Sequence, residues 1–552
     1  MRKKVAGVRT ISTQVLVVGA GPVGLTLAMD LSSRGVDVVV IEQRAAGEPP
    51  SVKCNHVASR SMEIFRRLGI ASEIRKTGLP GDFRHDIAFR TTTTGRELAR
   101  VRIPGWADRF TDLSGPDAGW PTPEPPHRIN QIFLEPVLFR HAVEHFGIRI
   151  LNRTRFDRFD QADTRVIGYA HDLETGEEVR IEAAFLVGCD GARSGVRRQL
   201  GIQFEGDAVV QRVQSTHIRA PQLLGMFKTE PSWGSLSLNP RRSGTVYAID
   251  GRETWLIHNY LKPEEPDFDS VDRDWAIRTI LGVDAEFEYE VISHEDWFGR
   301  RLIASRFRND RVFICGDAAH IWVPYAGYGM NAGIADAANL AWMLAAVVSG
   351  WAGEDILDAH EAERHPITDQ VSRFAMDHAH ATARQRKAVP EEIEDDTPEG
   401  EAARRALGEA TWNLNVQQYC AAGLNFGYYY DQSPVICYDG GAHPPYSMGA
   451  FTPSTVPGCR VPHVWLDDGV SLYDRIGDGF AVLRSESIVD VKPFLHAFEQ
   501  AGVACALVDL PEDARAVYDH ALIVSRPDQH VGWRGNETPS DPAAVVAKLT
   551  AT

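Results

Sequence analysis

Residues 14–42 read QVLVVGAGPVGLTLAMDLSSRGVDVVVIE. The apolar run 14–19 leads into Gly19-Ala20-Gly21-Pro22-Val23-Gly24. A helical pattern continues to Arg34, and a second apolar run, 36–41, ends at Glu42. Strand, glycine turn, helix, strand and acidic residue form the unit that seats a dinucleotide. Gly19 makes the turn, Gly21 lets a pyrophosphate approach the main chain, and Gly24 lets helix and strand pack closely. Pro22 and Val23 open the helix, whose N-terminus suits an anion. Glu42, 18 residues beyond Gly24, can accept both ribose hydroxyls. This unit makes the fold class α/β and leaves FAD and NAD as alternatives.

Two later stretches repeat the theme of a buried strand ending in an acidic turn. Residues 183–189 (AAFLVGC) end at Asp190-Gly191-Ala192-Arg193-Ser194, and Ser194 can cap the helix 195–200. Residues 311–344 read RVFICGDAAHIWVPYAGYGMNAGIADAANLAWML. Here strand 312–315 ends at Gly316-Asp317, a loop rich in Gly, Pro and Tyr follows, and a helix starts near Gly329. An aspartate at a strand end, Asp317, can accept a hydrogen bond from a ribityl hydroxyl. Gly327 and Gly329 let main chain lie against a flat ring. The helix N-terminus at Met330 and Asn331 offers free N–H groups and partial positive charge, which suits the anionic edge of a reduced flavin.

The loop 43–55 and a helix over 57–68 follow the first unit. Arg44 and Arg60 can hold pyrophosphate or ribose. Gln43 and Gln131, the latter at the start of a helix running to 146, complete the cofactor-binding candidates. Cys54 lacks the second thiol that dithiol redox chemistry needs, position 59 being Ser.

Composition excludes several classes. A chain of 552 residues is too long for one core, and about three domains are expected. The net charge of −17 argues against nucleic acid as partner. No apolar run of about 18 residues stands out as a membrane span. The opening MRKKVAGVRT is basic, but it leads into a glycine-containing strand rather than a signal-peptide core. Seven cysteines without a CxxC pair point to a reducing, cytoplasmic compartment, and no metal-ligand spacing is present.

Residues 91–126, rich in Gly, Pro and Thr, read as strands and loops of an insertion, and residues 203–300 are rich in strand patterns. The clearest hairpin joins 245–249 to 253–260 through Asp250-Gly251. Alternation sets Leu256, His258 and Tyr260 on one face and Trp255, Ile257 and Asn259 on the other, and one face should cover a pocket. Residues 353–425 read as helical, with the acidic run 391–401 as a solvated loop. Beyond the Pro/Gly-rich stretch 440–462, strands and helices alternate as in a separate α/β domain.

Taken together, the three motifs make the chain resemble the single-component FAD-dependent aromatic hydroxylases. Residues 457–466 (PGCRVPHVWL), 471–484 and 525–534 resemble the thioredoxin-like tail of their phenol hydroxylase branch. Nearly the whole chain takes part, least so 203–300 and 385–445. The sequence departs from the branch at Tyr325-Ala326-Gly327-Tyr328-Gly329, where the family often has Thr/Gly-Gly-Phe-Gly.

The resemblance implies a discontinuous Rossmann-like FAD-binding domain (1–80, 128–202, 301–385) and an inserted β-sheet substrate domain (81–127, 203–300). A helical segment and linker (386–440) and a thioredoxin-like domain (441–552) would follow, the last structural or dimer-supporting because it lacks CxxC. It implies FAD and NAD(P)H as cofactors and hydroxylation of a phenolic or polycyclic aromatic substrate by O2 through a flavin 4a-hydroperoxide. Baeyer–Villiger insertion, epoxidation on the same scaffold, and flavin binding without turnover are the alternatives. Pro324 would shape the oxygen side of the flavin. Tyr247, His258 and His56 are the candidates for removing the phenolic proton, a His near its ordinary pKa being suited to neutral pH.

Overall fold

The computed structural model describes residues 8–552, and the basic opening segment 1–7 lies outside the described residues. Four apolar strands, Val15–Val18, Val38–Ile41, Phe185–Gly188 and Val312–Ile314, are buried at every position. Strands this apolar need cover on both faces and favour parallel pairing. Together they form the centre of a six-stranded sheet edged by Arg149–Leu151 and Arg308–Asn309. The registers Val15↔Val38, Phe185↔Val15 and Leu186↔Val312 bring the C-terminal ends of these strands to one edge. Ligands bind at that edge of a parallel sheet.

One face of this sheet is covered by the helices Pro22–Ser33, Gln131–Glu144 and Tyr328–Val348, whose Leu27, Leu138 and Leu340 share a core with Val15 and Val17. The other face packs Leu16, Val18 and Val39 against Val166 and Ile181 of a smaller four-stranded sheet. The helix Tyr328–Val348 is long and apolar enough to cross a membrane by length and composition, contrary to the sequence expectation, but 78% of its apolar window is buried inside the protein. It is a core helix among the described residues.

An eight-stranded sheet stands over the ligand edge. Its order is His320–Ile321, Glu290–Ala304, Phe204–Arg219, Thr254–Tyr260, Gly244–Ala248, Gly234–Ser237, Ile87–Arg90 and Glu97–Val101. The hairpin pairs Tyr247 with Leu256 and Thr245 with His258. Trp255 and Ile257 turn to a core with Ile277 and Ile280, so the His258 face is left for the groove.

The acidic run is not a wholly solvated loop. Glu391–Glu394 forms a helical turn with Ile393 fully buried, and Thr397 caps the helix Pro398–Tyr419 by accepting from the Gly400 N–H at 3.1 Å. The C-terminal unit is a four-stranded sheet in the order Cys505–Asp509, Phe480–Arg484, Leu522–Ser525, Val531–Gly535. The first two strands are parallel and the rest antiparallel.

Burial of imidazoles makes the fold acid-sensitive. His258, His360, His378 and His463 are each pushed down by burial to about 4. His56, His85, His127, His141, His217 and His530 shift the same way. Unfolded histidine takes a proton near pH 6.5, so between about 6.5 and 4 the unfolded chain binds more protons than the folded one. Glu135, Asp190 and Asp317, raised by burial, oppose this but are fewer. Thermal midpoints are expected to fall steadily as pH drops through that window. A flat midpoint from pH 6.5 to 4 would contradict it.

Candidate active site

Glycine contacts draw the three motifs together. A Cβ on Gly24 would lie 2.0 Å from the Gly19 carbonyl oxygen, so only glycine allows this approach of helix to strand. Gly19 in turn lies against the Cys189 carbonyl, just before Asp190. Val23 packs on Gly316, just before Asp317. Around Gly21 and Gly329 a Cβ would meet nothing within 4 Å, which leaves the main chain open to a ligand.

Glu42 closes the second strand. Its carboxylate accepts from the Ala20 N–H at 2.8 Å and the Arg44 N–H at 2.9 Å. Arg44 also pairs with Glu135 at 2.5 Å, and Gln43, next in the chain to Glu42, is exposed. The Gln131 N–H bonds the Cys54 carbonyl at 3.0 Å, tying the loop before the His56 segment to the Gln131–Glu144 helix. Asp190 accepts from the Gly195 and Val196 N–H groups at 2.7 and 3.2 Å, and its second oxygen is buried without a partner among the described residues. Burial raises its pKa. Gly191 beside it takes a positive φ of 74°.

Asp317 is open to the groove, yet enough protein surrounds it that desolvation raises its carboxyl pKa. It accepts no hydrogen bond from any described residue, and His320 and Lys53 act only through their charge. Its neighbour Gly316 is held instead: Asp336 accepts from the Gly316 N–H at 3.2 Å, from His320 Nε2 at 2.6 Å and from Arg364 Nε at 2.9 Å. Burial alone would raise Asp336, but His320 and Arg364 reverse this and keep it below the usual carboxylate range.

The loop after Pro324 ends at Gly327, which has φ 61° and precedes the helix Tyr328–Val348. A Cβ there would lie 2.9 Å from His56 Cβ. Asn331 fixes this loop with its side chain. It donates to the Gly327 and His56 carbonyls at 2.6 and 3.1 Å, and accepts from the Ala58 N–H and the Ser61 hydroxyl at 2.8 and 2.7 Å. Its side chain is thereby spent on protein, and only main-chain groups at Met330 and Asn331 remain for a ligand. Arg60 is a correction. Its guanidinium donates to Glu63 at 2.7 Å and also to Gln529 and the Asp528 carbonyl, so it serves the contact with the C-terminal unit rather than a pyrophosphate.

The hairpin face above the groove is aromatic. Tyr247 lies 5.8 Å from His258 and 4.8 Å from Trp233 between ring centroids, and His258 lies 6.2 Å from Trp297. The Ser215 hydroxyl bridges His258 Nδ1 and the Trp297 N–H, each at 2.7 Å. Tyr260 meets the Thr245 hydroxyl at 3.0 Å, and Arg386 stacks over its ring at 4.4 Å. Arg386 and Thr382 donate to the Tyr325 hydroxyl at 3.2 and 3.1 Å. The structure thus joins Tyr247 and His258 at one wall, with Tyr325 of the loop near them. His56 lies on the loop side and is bonded to Arg128 through Nδ1.

Titration corrects one expectation. His258 is not near its ordinary pKa: burial lowers it to about 4, so it is neutral at pH 7. Burial also lowers His56, with Arg128 adding to the effect, and raises the Tyr247 phenol well above its usual range. The sequence reading missed Arg386, Trp297 and Ser215 as site residues, and also Tyr419, which burial keeps protonated. They reach the groove through tertiary packing and carry no local motif.

A glycine cradle for pyrophosphate, an acidic ribose acceptor and an unbonded strand-end aspartate fit FAD and define a flavin-dependent oxidoreductase. The chain belongs to the family whose model is described as "FAD binding domain" (FAD_binding_3), which matches residues 12–375. It is 27% identical to phenol 2-monooxygenase of Pseudomonas sp. (strain EST1001), covering 96% of this chain and 91% of that one. It is 29% identical to tetracenomycin A2 monooxygenase-dioxygenase of Streptomyces glaucescens, covering 97% and 95%. The rebeccamycin biosynthetic enzyme RebC with reduced flavin superposes with a TM-score of 0.88 at 33% identity, covering 98% of this chain and 100% of that one. The protein is an FAD-dependent monooxygenase of the aromatic hydroxylase kind.

Proposed function

We propose that the protein hydroxylates a phenolic, multi-ring aromatic compound ortho or para to its hydroxyl, with NAD(P)H and O2 as co-substrates. The observation that carries this is the ring-lined wall of Tyr247, His258, Trp297 and Trp233 facing the Pro324–Gly327 loop. Flat aromatic walls suit a flat ring system. FAD, when bound, would carry the electrons of NAD(P)H to O2 and so supply the activated oxygen, the second oxygen atom leaving as water. Glu42 and main chain at Gly21 would hold its ribose and pyrophosphate, and Asp317 its ribityl chain. The protein's own task is to seat the ring, exclude water and take up the phenolic proton. Tyr247 and His258 are placed to orient the phenolic hydroxyl and relay its proton: burial keeps the Tyr247 phenol protonated and leaves His258 a neutral, weak base at pH 7.

The relatives' names support an oxygenase of phenols. Free thiols at all seven cysteines suit a cytoplasmic setting. The C-terminal sheet, with a parallel first pair and antiparallel remainder, supports the thioredoxin-like reading of that unit.

The test is NAD(P)H consumption stimulated by a panel of phenols, with product mass and ring position determined. Ring hydroxylation is expected; a lactone or epoxide product would replace this reading, and no stimulation by any phenol would end it. Tyr247→Phe and His258→Ala are expected to slow hydroxylation about a hundredfold. Hydrogen peroxide should then replace product while NAD(P)H is still consumed. Two variants as coupled as the parent, with unchanged affinity for the phenol, would place neither residue at the proton.

A further inference from the structure

Arginine cannot shed its proton, so a guanidinium set inside a protein needs a compensating group. In this chain the deeply set arginines mostly have one: Arg526 with Glu363, Arg364 with Asp336, Arg460 with Glu63 and Arg242 with Glu265. Two near the groove do not. Among the described residues, neither Arg386 nor Arg128 has a carboxylate within salt-bridge distance. Arg128 rests over Trp233 at 4.6 Å and bonds only His56 and the Tyr419 carbonyl, the latter at 3.3 Å. Arg386 rests over Tyr260 at 4.4 Å and gives one N–H to Tyr325.

The two sites differ in what they leave free. Arg128 is 3% exposed and its contacts are inward. Arg386 is half-buried, and only one of its N–H groups is used among the described residues. Its planar fork, held flat by Tyr260, keeps its other donors for a group that brings two oxygens in one plane. Thr382 shares the Tyr325 hydroxyl at 3.1 Å, so the loop that carries Tyr325 is tied to the same spot. The chain as a whole is strongly acidic, at −17, so an unpaired cation here is not a sample of a generally basic surface.

We propose that Arg386 is a specificity-determining residue that receives a carboxylate of the substrate, which makes the preferred substrate a hydroxylated aromatic carboxylic acid. The proposal rests on the groove being the aromatic site. Arg128, uncompensated on the far side of the tyrosine cluster, adds positive potential without touching the ligand.

The test uses a matched pair of probes, 6-hydroxy-2-naphthoate and 6-hydroxy-2-naphthamide, titrated into the oxidised, FAD-loaded protein and followed by the flavin absorbance change and by calorimetry. The acid is expected to bind about tenfold to a hundredfold more tightly than the amide. Arg386→Gln should abolish that preference by weakening the acid alone, and Arg386→Lys should keep part of it. Unchanged amide affinity in both variants shows that the site is still formed. Equal binding of acid and amide to the parent overturns the proposal, as does equal weakening of both by Arg386→Gln, or no binding of either. Because binding is read without turnover, those outcomes leave hydroxylation of other phenols standing and fall on the carboxylate alone.

Discussion

Arg526→Met is expected to loosen the C-terminal unit by about 3–5 kcal/mol. Arg526 comes from the end of the strand Leu522–Ser525 and reaches across to the helix Asp358–Lys387. It pairs with Glu363 at 2.5 and 2.9 Å and with Asp528 at 2.6 Å, and both Arg526 and Glu363 side chains are 0% exposed. Ser433 and Asn339 satisfy the remaining lone pairs of Glu363 at 2.5 and 2.6 Å. Burial alone would raise Asp528, but Arg526 more than reverses it and keeps the carboxylate strongly ionised. Methionine fills similar space but leaves two buried carboxylates facing each other without their cation. Adding Glu363→Gln should recover part of the loss, since one uncompensated charge is removed. Amide exchange in the strands Phe480–Arg484 and Leu522–Ser525, followed by mass spectrometry, reads the change. Protection within about 1 kcal/mol of the parent would mean that water reaches this network and shields it.

This network also shows where the sequence stops being readable. Residues 14–42 can be read from one end to the other because each requirement is local: apolar runs, glycines at fixed spacing, an acid at the strand end. The hairpin faces are readable for the same reason, since alternation alone puts Tyr247 and His258 on one side. Arg60 is misleading because its partner Gln529 lies 469 positions away. Nothing near Arg60 distinguishes a guanidinium meant for phosphate from one meant for a distant loop. Asn331 shows a subtler limit. It stands at the right helix terminus, but its side chain is taken by His56, Ala58, Ser61 and Gly327. The pKa of His258 is beyond sequence reading as well, because it is buried by neighbours on other strands, among them Ser215, Tyr247 and Trp297. Arg386 and Tyr419 lie on helices whose facing becomes known only once the eight-stranded sheet is in place.

Asp317→Ala is expected to weaken FAD binding about tenfold to a hundredfold while leaving the fold intact. A charge-assisted hydrogen bond to a ligand hydroxyl contributes about 1.5–3 kcal/mol, which sets that range. Asp317 is the right kind of acceptor because it is the acidic group of the Gly316 turn that the described residues leave unbonded. Asp336 takes the Gly316 N–H, His320 and Arg364 instead, so the turn keeps its anchor when the Asp317 carboxylate is removed. Removing the charge also relieves the desolvation that raises its pKa, so the apoprotein should lose no stability. Asp317→Asn separates charge from shape: it keeps one oxygen acceptor and should lose less affinity than alanine. Reconstituting apoprotein with FAD and following the quenching of flavin fluorescence gives both constants. If the alanine variant binds FAD as tightly as the parent, Asp317 makes no contact with the cofactor. The raised pKa would then mark only a carboxylate caught between protein walls. If instead the asparagine variant binds like the parent and alanine does not, the contact exists, but it is a neutral hydrogen bond rather than a charge-assisted one.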